Sequence, residues 1–154
     1  MRRLFATAWT IWLIDFVTKA WALQSLSPEP RKIIGTFLQL TLVYNSGAAF
    51  SFATGFTIVF SLLALAVVLA VIYFAPRITS GGWHLAIGLL LGGVLGNLTD
   101  RIFREPAFLS GYVIDWIQIP HWPVFNIADS AICIAAAIAF LLSLRNVPPI
   151  TRVG

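Results

Sequence analysis

One cysteine, one methionine and two histidines are spread through 154 residues, and only six side chains are acidic. Each scarcity excludes something. A lone Cys133 can form neither an internal disulfide nor a cysteine-based metal cluster, and it is expected to pack within the last apolar run. His84 and His121 lie too far apart to suggest a metal site and read as interfacial or loop side chains. Charged residues make up 10% of the chain against 59% hydrophobic ones, too few for a soluble domain of this size. The ten basic residues give a net charge of +4 but occur singly or in pairs, and without a basic run nucleic acid is not an expected partner. No internal repeat, low-complexity tract or linker divides the sequence, so residues 1–154 read as one integral membrane domain.

Four apolar segments are predicted to cross the bilayer as helices: Leu4–Leu23, Phe56–Ala75, Trp83–Arg101 and Trp122–Leu144. Each is near the ~20 residues that a helix needs to span about 30 Å of hydrocarbon. The first could be mistaken for a cleavable signal peptide, because Arg2 and Arg3 precede it and Ala20-Trp21-Ala22 closes it. Asp15 and Lys19 interrupt the apolar region such a peptide requires, so it reads as a retained span. The second carries no charge and reads as lipid-facing or purely structural. In the third, Gly88, Gly92 and Gly96 recur every four residues on one face, the pattern that lets helix backbones approach closely.

An even number of spans puts both termini on one side, with Arg2, Arg3, Arg77, Arg145 and Arg152. Arg31, Lys32 and Arg104 fall on the other, and Arg101 at a span end. Arg2 and Arg3 flank the first helix with no acid nearby, which places the termini in the cytoplasm. The opposite loops have extended character. Leu38, Leu40, Leu42 and Tyr44 alternate with Gln39, Thr41 and Val43, and Asn45-Ser46-Gly47 then supplies a turn. Gly111–Ile119 is rich in β-branched and aromatic residues and ends at Pro120. The fold class is therefore an all-α membrane protein of four transmembrane helices with a small extracytoplasmic β-rich element.

Four of the six acids, Asp15, Asp100, Asp115 and Asp129, lie in or beside apolar runs, where an ionisable group costs about 2.5–3.5 kcal/mol at a helix centre on insertion scales. With the termini inside, all four fall at the outer membrane face, although they come from separate segments. Three have structural explanations. Asp15 and Lys19 are one helical turn apart, as are Asp100 and Arg104, and Asn126 and Asp129 have the spacing of a helix cap with an acid at its third position. Asp115, between Ile114 and Trp116, has no basic neighbour in sequence. Two carboxylates brought together cannot both ionise easily, so one keeps a proton while the other can activate water, and such a pair hydrolyses amides without a serine, cysteine or metal. No histidine stands with a serine in a recognisable triad, which makes a serine hydrolase the weaker enzyme reading.

These residues resemble the bacterial lipoprotein signal peptidases (signal peptidase II), membrane-embedded aspartic proteases. The resemblance rests on Asp15-Phe16-Val17-Thr18-Lys19, Asn45-Ser46-Gly47-Ala48-Ala49-Phe50, Gly96-Asn97-Leu98-Thr99-Asp100-Arg101, Val113-Ile114-Asp115-Trp116-Ile117 and Phe125-Asn126-Ile127-Ala128-Asp129, in the family's order. It implies that Asp115 and Asp129 are the catalytic dyad and that Asp15, Lys19, Asn45, Asn97, Asp100, Arg101 and Asn126 shape the pocket and hold substrate. It further implies a diacylglyceryl-modified prolipoprotein as substrate, cleaved just before the lipidated cysteine, with membrane lipids as the other partner. No cofactor or metal, a monomeric state and the cytoplasmic (inner) membrane are expected with it. Trp116 stands where the family commonly has Phe, and Phe16 where Gln is common. The stretch from Arg101 to Asp115 looks longer than in compact members.

The main rival is a small proton-coupled transporter or channel, since acids in spans also form proton relays. Such a protein is expected to carry polar groups through the whole membrane thickness, whereas these gather at one face. A noncatalytic scaffold leaves the isolation of Asp115 unexplained.

Overall fold

The structure, a computed structural model, describes residues 1–47 and 57–150. Ala48, Ala49 and Phe50 of the second sequence block, Phe56 at the expected start of the second span, and Arg152 lie outside the described residues. The elements run α1 (Arg2–Ser25), β1 (Arg31–Ile34), β2 (Leu38–Asn45), α2 (Thr57–Phe74), a 3-10 turn (Ala75–Arg77), α3 (Gly81–Phe103), β3 (Val113–Gln118) and α4 (Ile127–Leu144). The chain is thus mostly helical with one small three-stranded antiparallel sheet.

Among the described residues three helices are long and apolar enough to cross a membrane, namely α2 extended through Arg77, α3 and α4. At 24 residues α1 is the longest helix, about 36 Å at 1.5 Å per residue, but Arg2, Arg3, Asp15 and Lys19 dilute its apolar character. Much of the bundle's outer surface is apolar, with Leu62, Leu63, Leu69 and Ile72 of α2 and Phe140, Leu141 and Leu144 of α4 all exposed. Water would disfavour such a surface by about 25 cal/mol per Å². Hydrocarbon does not.

Helix α3 is the centre, with α1, α2 and α4 packed around it. Its glycine stripe explains the closeness of α1. A Cβ added at Gly88 would meet Leu4 O at 2.7 Å, and one at Gly92 would meet Ala8 O at 2.6 Å, so only hydrogen fits where the two backbones cross. Leu4, Ala8, Leu91 and Leu98 fill this contact, and Val68, Val71, Ala75 and Ile78 extend it to α2 and the turn after it.

The sheet has the order β1-β2-β3. Strand β2 matches the alternating segment within a residue at each end. Strand β1 was not predicted. It is four residues long, wholly exposed, and contains Arg31 and Lys32, which suit an edge strand. Val43 pairs with Asp115, while Leu40 pairs with Ile117, so β2 advances three residues where β3 advances two. This bulge sets the register beside Asp115.

Two expectations are corrected. The last helix begins at Ile127, not Trp122, because Phe125 pairs back on Ile117 as an isolated bridge, Pro120 and Pro123 cannot donate, and Asn126 caps the helix. Cys133, expected to pack, lies on an exposed face of α4.

Candidate active site

Four elements deliver the acids to one end of the bundle. Asp15 and Lys19 share a face of α1, Asn97 and Asp100 lie near the end of α3, and Asn126 and Asp129 open α4. Asp115 sits in β3. Asp15, Lys19, Asp100, Asp115 and Asn126 are buried, while Asn45, Asn97 and Asp129 are half-buried.

The ion pairs form one connected chain, from Asp15 through Lys19 and Asp100 to Arg104. Lys19 Nζ lies 2.7 Å from Asp15 Oδ2 and 2.8 Å from Asp100 Oδ2. Asp100 Oδ1 also pairs with Arg104 Nε and its Oδ2 accepts from Ile114 N at 3.2 Å, which ties α3 to β3. Asp15 Oδ1 accepts from Ala128 N at 2.9 Å, fastening α1 to the first turn of α4. The sequence showed the two pairs at one-turn spacing. It did not show that Lys19 serves both Asp15 and Asp100, because contacts between helices leave no local signal.

Asp115 and Asp129 are held differently, by amides. Asn45 Nδ2 donates to Asp115 Oδ2 at 2.8 Å and Asn126 Nδ2 donates to Asp115 Oδ1 at 2.6 Å. The first contact follows from register: Asn45 lies two residues along β2 from Val43, the partner of Asp115, on the same face. Asn45 is itself braced where its Oδ1 accepts from Gly47 N at 2.7 Å. Asp129 Oδ1 accepts from Asn97 Nδ2 at 2.8 Å and its Oδ2 from Asn126 N at 3.1 Å, while Asn126 Oδ1 accepts from Asp129 N at 2.9 Å. That reciprocal pair is a capping box. Asn126 Nδ2 reaches Asn97 Oδ1 at 3.1 Å, so an unbroken chain of polar contacts joins Asp115 to Asp129.

Burial pushes the Asp115 carboxyl up to about 7, with the negative charge of Asp129 adding to the rise, while the hydrogen bonds from Asn45 and Asn126 and the charge of Lys19 oppose it. A carboxyl near 7 divides between its protonated and ionised forms at neutral pH, so it can both give and take a proton. Among the described residues neither Asp115 nor Asp129 has a cation within ion-pair distance.

Arg101 is the looser member of the predicted set. Its Nη1 donates to Ser46 O at 3.5 Å and Gly111 O at 3.4 Å, bracing the turn after β2 against the chain entering β3. With Asn97 it lines a cavity of about 250 Å³ whose other walls are Gly47, Phe60, Ala64, Val94 and Ile132, an apolar trough between α2 and α4 with its polar side at Asn97. All nine predicted site residues thus meet at one end of the bundle. Sequence reading missed the backbone donors Ala128 and Ile114, which carry no side-chain signature.

The family profile described as Signal peptidase (SPase) II matches residues 7–145. A lipoprotein signal peptidase of Mycobacterium bovis (strain BCG / Pasteur 1173P2) is 44% identical over 145 residues, covering 94% of this chain and 72% of the relative. One from Leifsonia xyli subsp. xyli (strain CTCB07) is 47% identical over 146 residues, covering 94% and 68%. A solved bacterial membrane enzyme, determined by the in meso method at 1.9 Å resolution, superposes with a TM-score of 0.83 at 28% identity over 94% of both chains. The transport alternative finds no support among these relatives. A match over nearly the whole sequence, joined to relatives well above 30% identity and to a common fold, places this chain in the signal peptidase II family.

Proposed function

We propose that the chain is a membrane-embedded aspartic endopeptidase that removes the signal peptide from diacylglyceryl-modified prolipoproteins, cleaving just before the lipidated cysteine. The observation that carries the aspartic chemistry is the contrast among the carboxylates. Asp15 and Asp100 are spent in ion pairs, whereas among the described residues Asp115 and Asp129 are held by amides and linked to one another through Asn126 and Asn97.

In this reading water lies between the dyad members. Asp129 takes a proton from the water as its oxygen adds to the carbonyl carbon preceding the cysteine, and Asp115 gives its proton to the carbonyl oxygen. Collapse of the resulting diol breaks the C–N bond. One hydroxyl proton returns to Asp115, and the proton on Asp129 passes to the departing cysteine amine, leaving a new carboxyl end on the signal peptide. Asn45 and Asn126 hold Asp115, Asn97 holds Asp129, and Asp15, Lys19 and Asp100 anchor the helices that carry them. Arg101, on the wall of the 250 Å³ trough, faces the substrate backbone, and the apolar walls suit the signal segment.

Residues 1–154 act as a single domain in which α1 is the fourth span, with its polar groups turned inward to α3 and α4. The termini lie in the cytoplasm and the site opens near the extracytoplasmic face of the inner membrane. The protein works as a monomer on substrate captured from the bilayer. On a Cys133→Ala background, single cysteines at positions 32 and 105 should label from outside and one at 77 from inside; outward labelling at 77 inverts this arrangement. The chemistry is tested with purified protein and lipidated prolipoprotein. Asp115→Asn and Asp129→Asn should each leave the precursor uncleaved, and near-normal turnover by either removes the aspartic assignment.

A further inference from the structure

Asn97 joins the ion-pair cluster to Asp129 directly and to Asp115 through Asn126. A carboxamide can sit either way round, and its partners decide which end is oxygen. In this site Oδ1 accepts from Lys19 Nζ at 2.9 Å and from Asn126 Nδ2 at 3.1 Å, while Nδ2 donates to Asp129 Oδ1 at 2.8 Å. Asn126 could tolerate the reverse, since its Nδ2 also has Asp115 Oδ1 and Ile114 O as acceptors. Lys19 could not. An ammonium has three donors and no acceptor, so an Asn97 turned around would set N–H against N–H at Lys19 and oxygen against oxygen at Asp129.

We propose that Lys19 is a positioning residue: by fixing which way round Asn97 sits, it keeps a donor on Asp129 and a lone pair of that carboxylate free for the attacking water. This rests on the dyad reading above. Lys19 suits the task because its ammonium sits among three oxygens, hydrogen-bonded to Asn97 Oδ1 at 2.9 Å and at ion-pair distance from Asp15 Oδ2 (2.7 Å) and Asp100 Oδ2 (2.8 Å), and its side chain is 1% exposed. Its burial keeps the ammonium away from substrate, and an ammonium has no lone pair to accept a proton. Apart from the effect of its charge on Asp115, which the loss of Asp15 offsets in the paired variant below, its influence on the reaction passes through Asn97 and not through any contact with the reacting atoms.

Replacing Lys19 alone leaves Asp15 uncompensated, so the variant to test is Lys19→Met combined with Asp15→Asn. Asp100 keeps Arg104, and the amide oxygen at position 15 can still accept from Ala128 N. Steady-state kinetics on a lipidated prolipoprotein in nanodiscs should show kcat reduced by more than fivefold, on the order of 10–100-fold, with KM changed less than about twofold. In an Asn97→Ala background the same pair of substitutions should cause no further loss, because the intermediary is already gone. A kcat within fivefold of the parent, a loss carried mainly by KM, or losses that multiply with that of Asn97→Ala would each overturn the proposal. Asp115→Asn and Asp129→Asn, assayed in parallel, separate the two levels. If either keeps turnover, the dyad reading fails; if both are inactive and the Lys19 cycle multiplies, only the role of Lys19 fails.

Discussion

Two pairs of aspartates meet at the same end of the bundle, and they differ in their company. Asp15 and Asp100 are surrounded by cations and backbone donors, with Lys19 between them and Arg104 beyond. Among the described residues Asp115 and Asp129 are hydrogen-bonded by amide groups and by no cation. A cation fixes a carboxylate in its charged form and uses up its geometry. An amide orients the same group yet leaves it able to gain or lose a proton. In the proposed mechanism the same residue type therefore serves as a rivet in one place and as a reagent in the other, and the neighbours decide which.

The largest expected effect tests the reagent half. Asp115→Asn and Asp129→Asn should lower kcat by at least about 10²–10⁴-fold, the usual worth of a general acid or base, while the unfolding midpoint in mixed micelles barely moves. Asp100→Ala should reverse that order. It strips Lys19, Arg104 and Ile114 N of an acceptor, and breaking a buried pair costs about 3–5 kcal/mol, seen as unfolding at lower denaturant. If Asp100→Ala unfolds no more easily than Asp129→Asn, the distinction collapses.

A smaller effect sharpens it. With Asp115 near 7 and acting as the acid, turnover should be full below that pH and fall about tenfold per unit above it, as the proton needed for the carbonyl oxygen is lost. A kcat profile flat to pH 9 would contradict the assignment. The bond from Asn45 favours the ionised form of Asp115, so Asn45→Ala should move this descending limb to higher pH. Smallest of all is the effect of chelation. Lys19 and Arg101 bring positive charge to the same end of the bundle, which opposes a divalent cation, so EDTA should leave the rate unchanged. Loss of activity restored by a divalent ion would replace the metal-free mechanism.

Helices and local pairs were legible in the sequence because they repeat at short range. The one-turn spacings of Asp15 with Lys19 and of Asp100 with Arg104 correspond to real contacts, and the glycine stripe of α3 does receive α1. What could not be read depends on distant parts meeting. Lys19 bridges to Asp100 across 81 positions, Ala128 N finds Asp15 across 113, and the bulge that seats Asn45 beside Asp115 exists only once β2 and β3 pair. The late start of α4 escaped notice because Trp122–Phe125 is apolar enough to continue a helix, and only its pairing with Ile117 diverts it. Strand β1 is too short and too charged to show a period.

The capping box at Asn126 and Asp129 places an evolutionary constraint on the enzyme. One side chain both completes the box and takes part in the proposed reaction, so an alanine at position 129 forfeits the bond from Asn126 N along with the chemistry, while its backbone N still donates to Asn126 Oδ1. Asparagine alone separates the two duties, keeping an oxygen for the Asn126 amide while giving up the carboxylate. A lineage abandoning catalysis could drift through that single exchange and retain its fold, which makes Asn at position 129, with the rest of the network intact, the sequence signature of a relative that has kept the architecture and lost the protease.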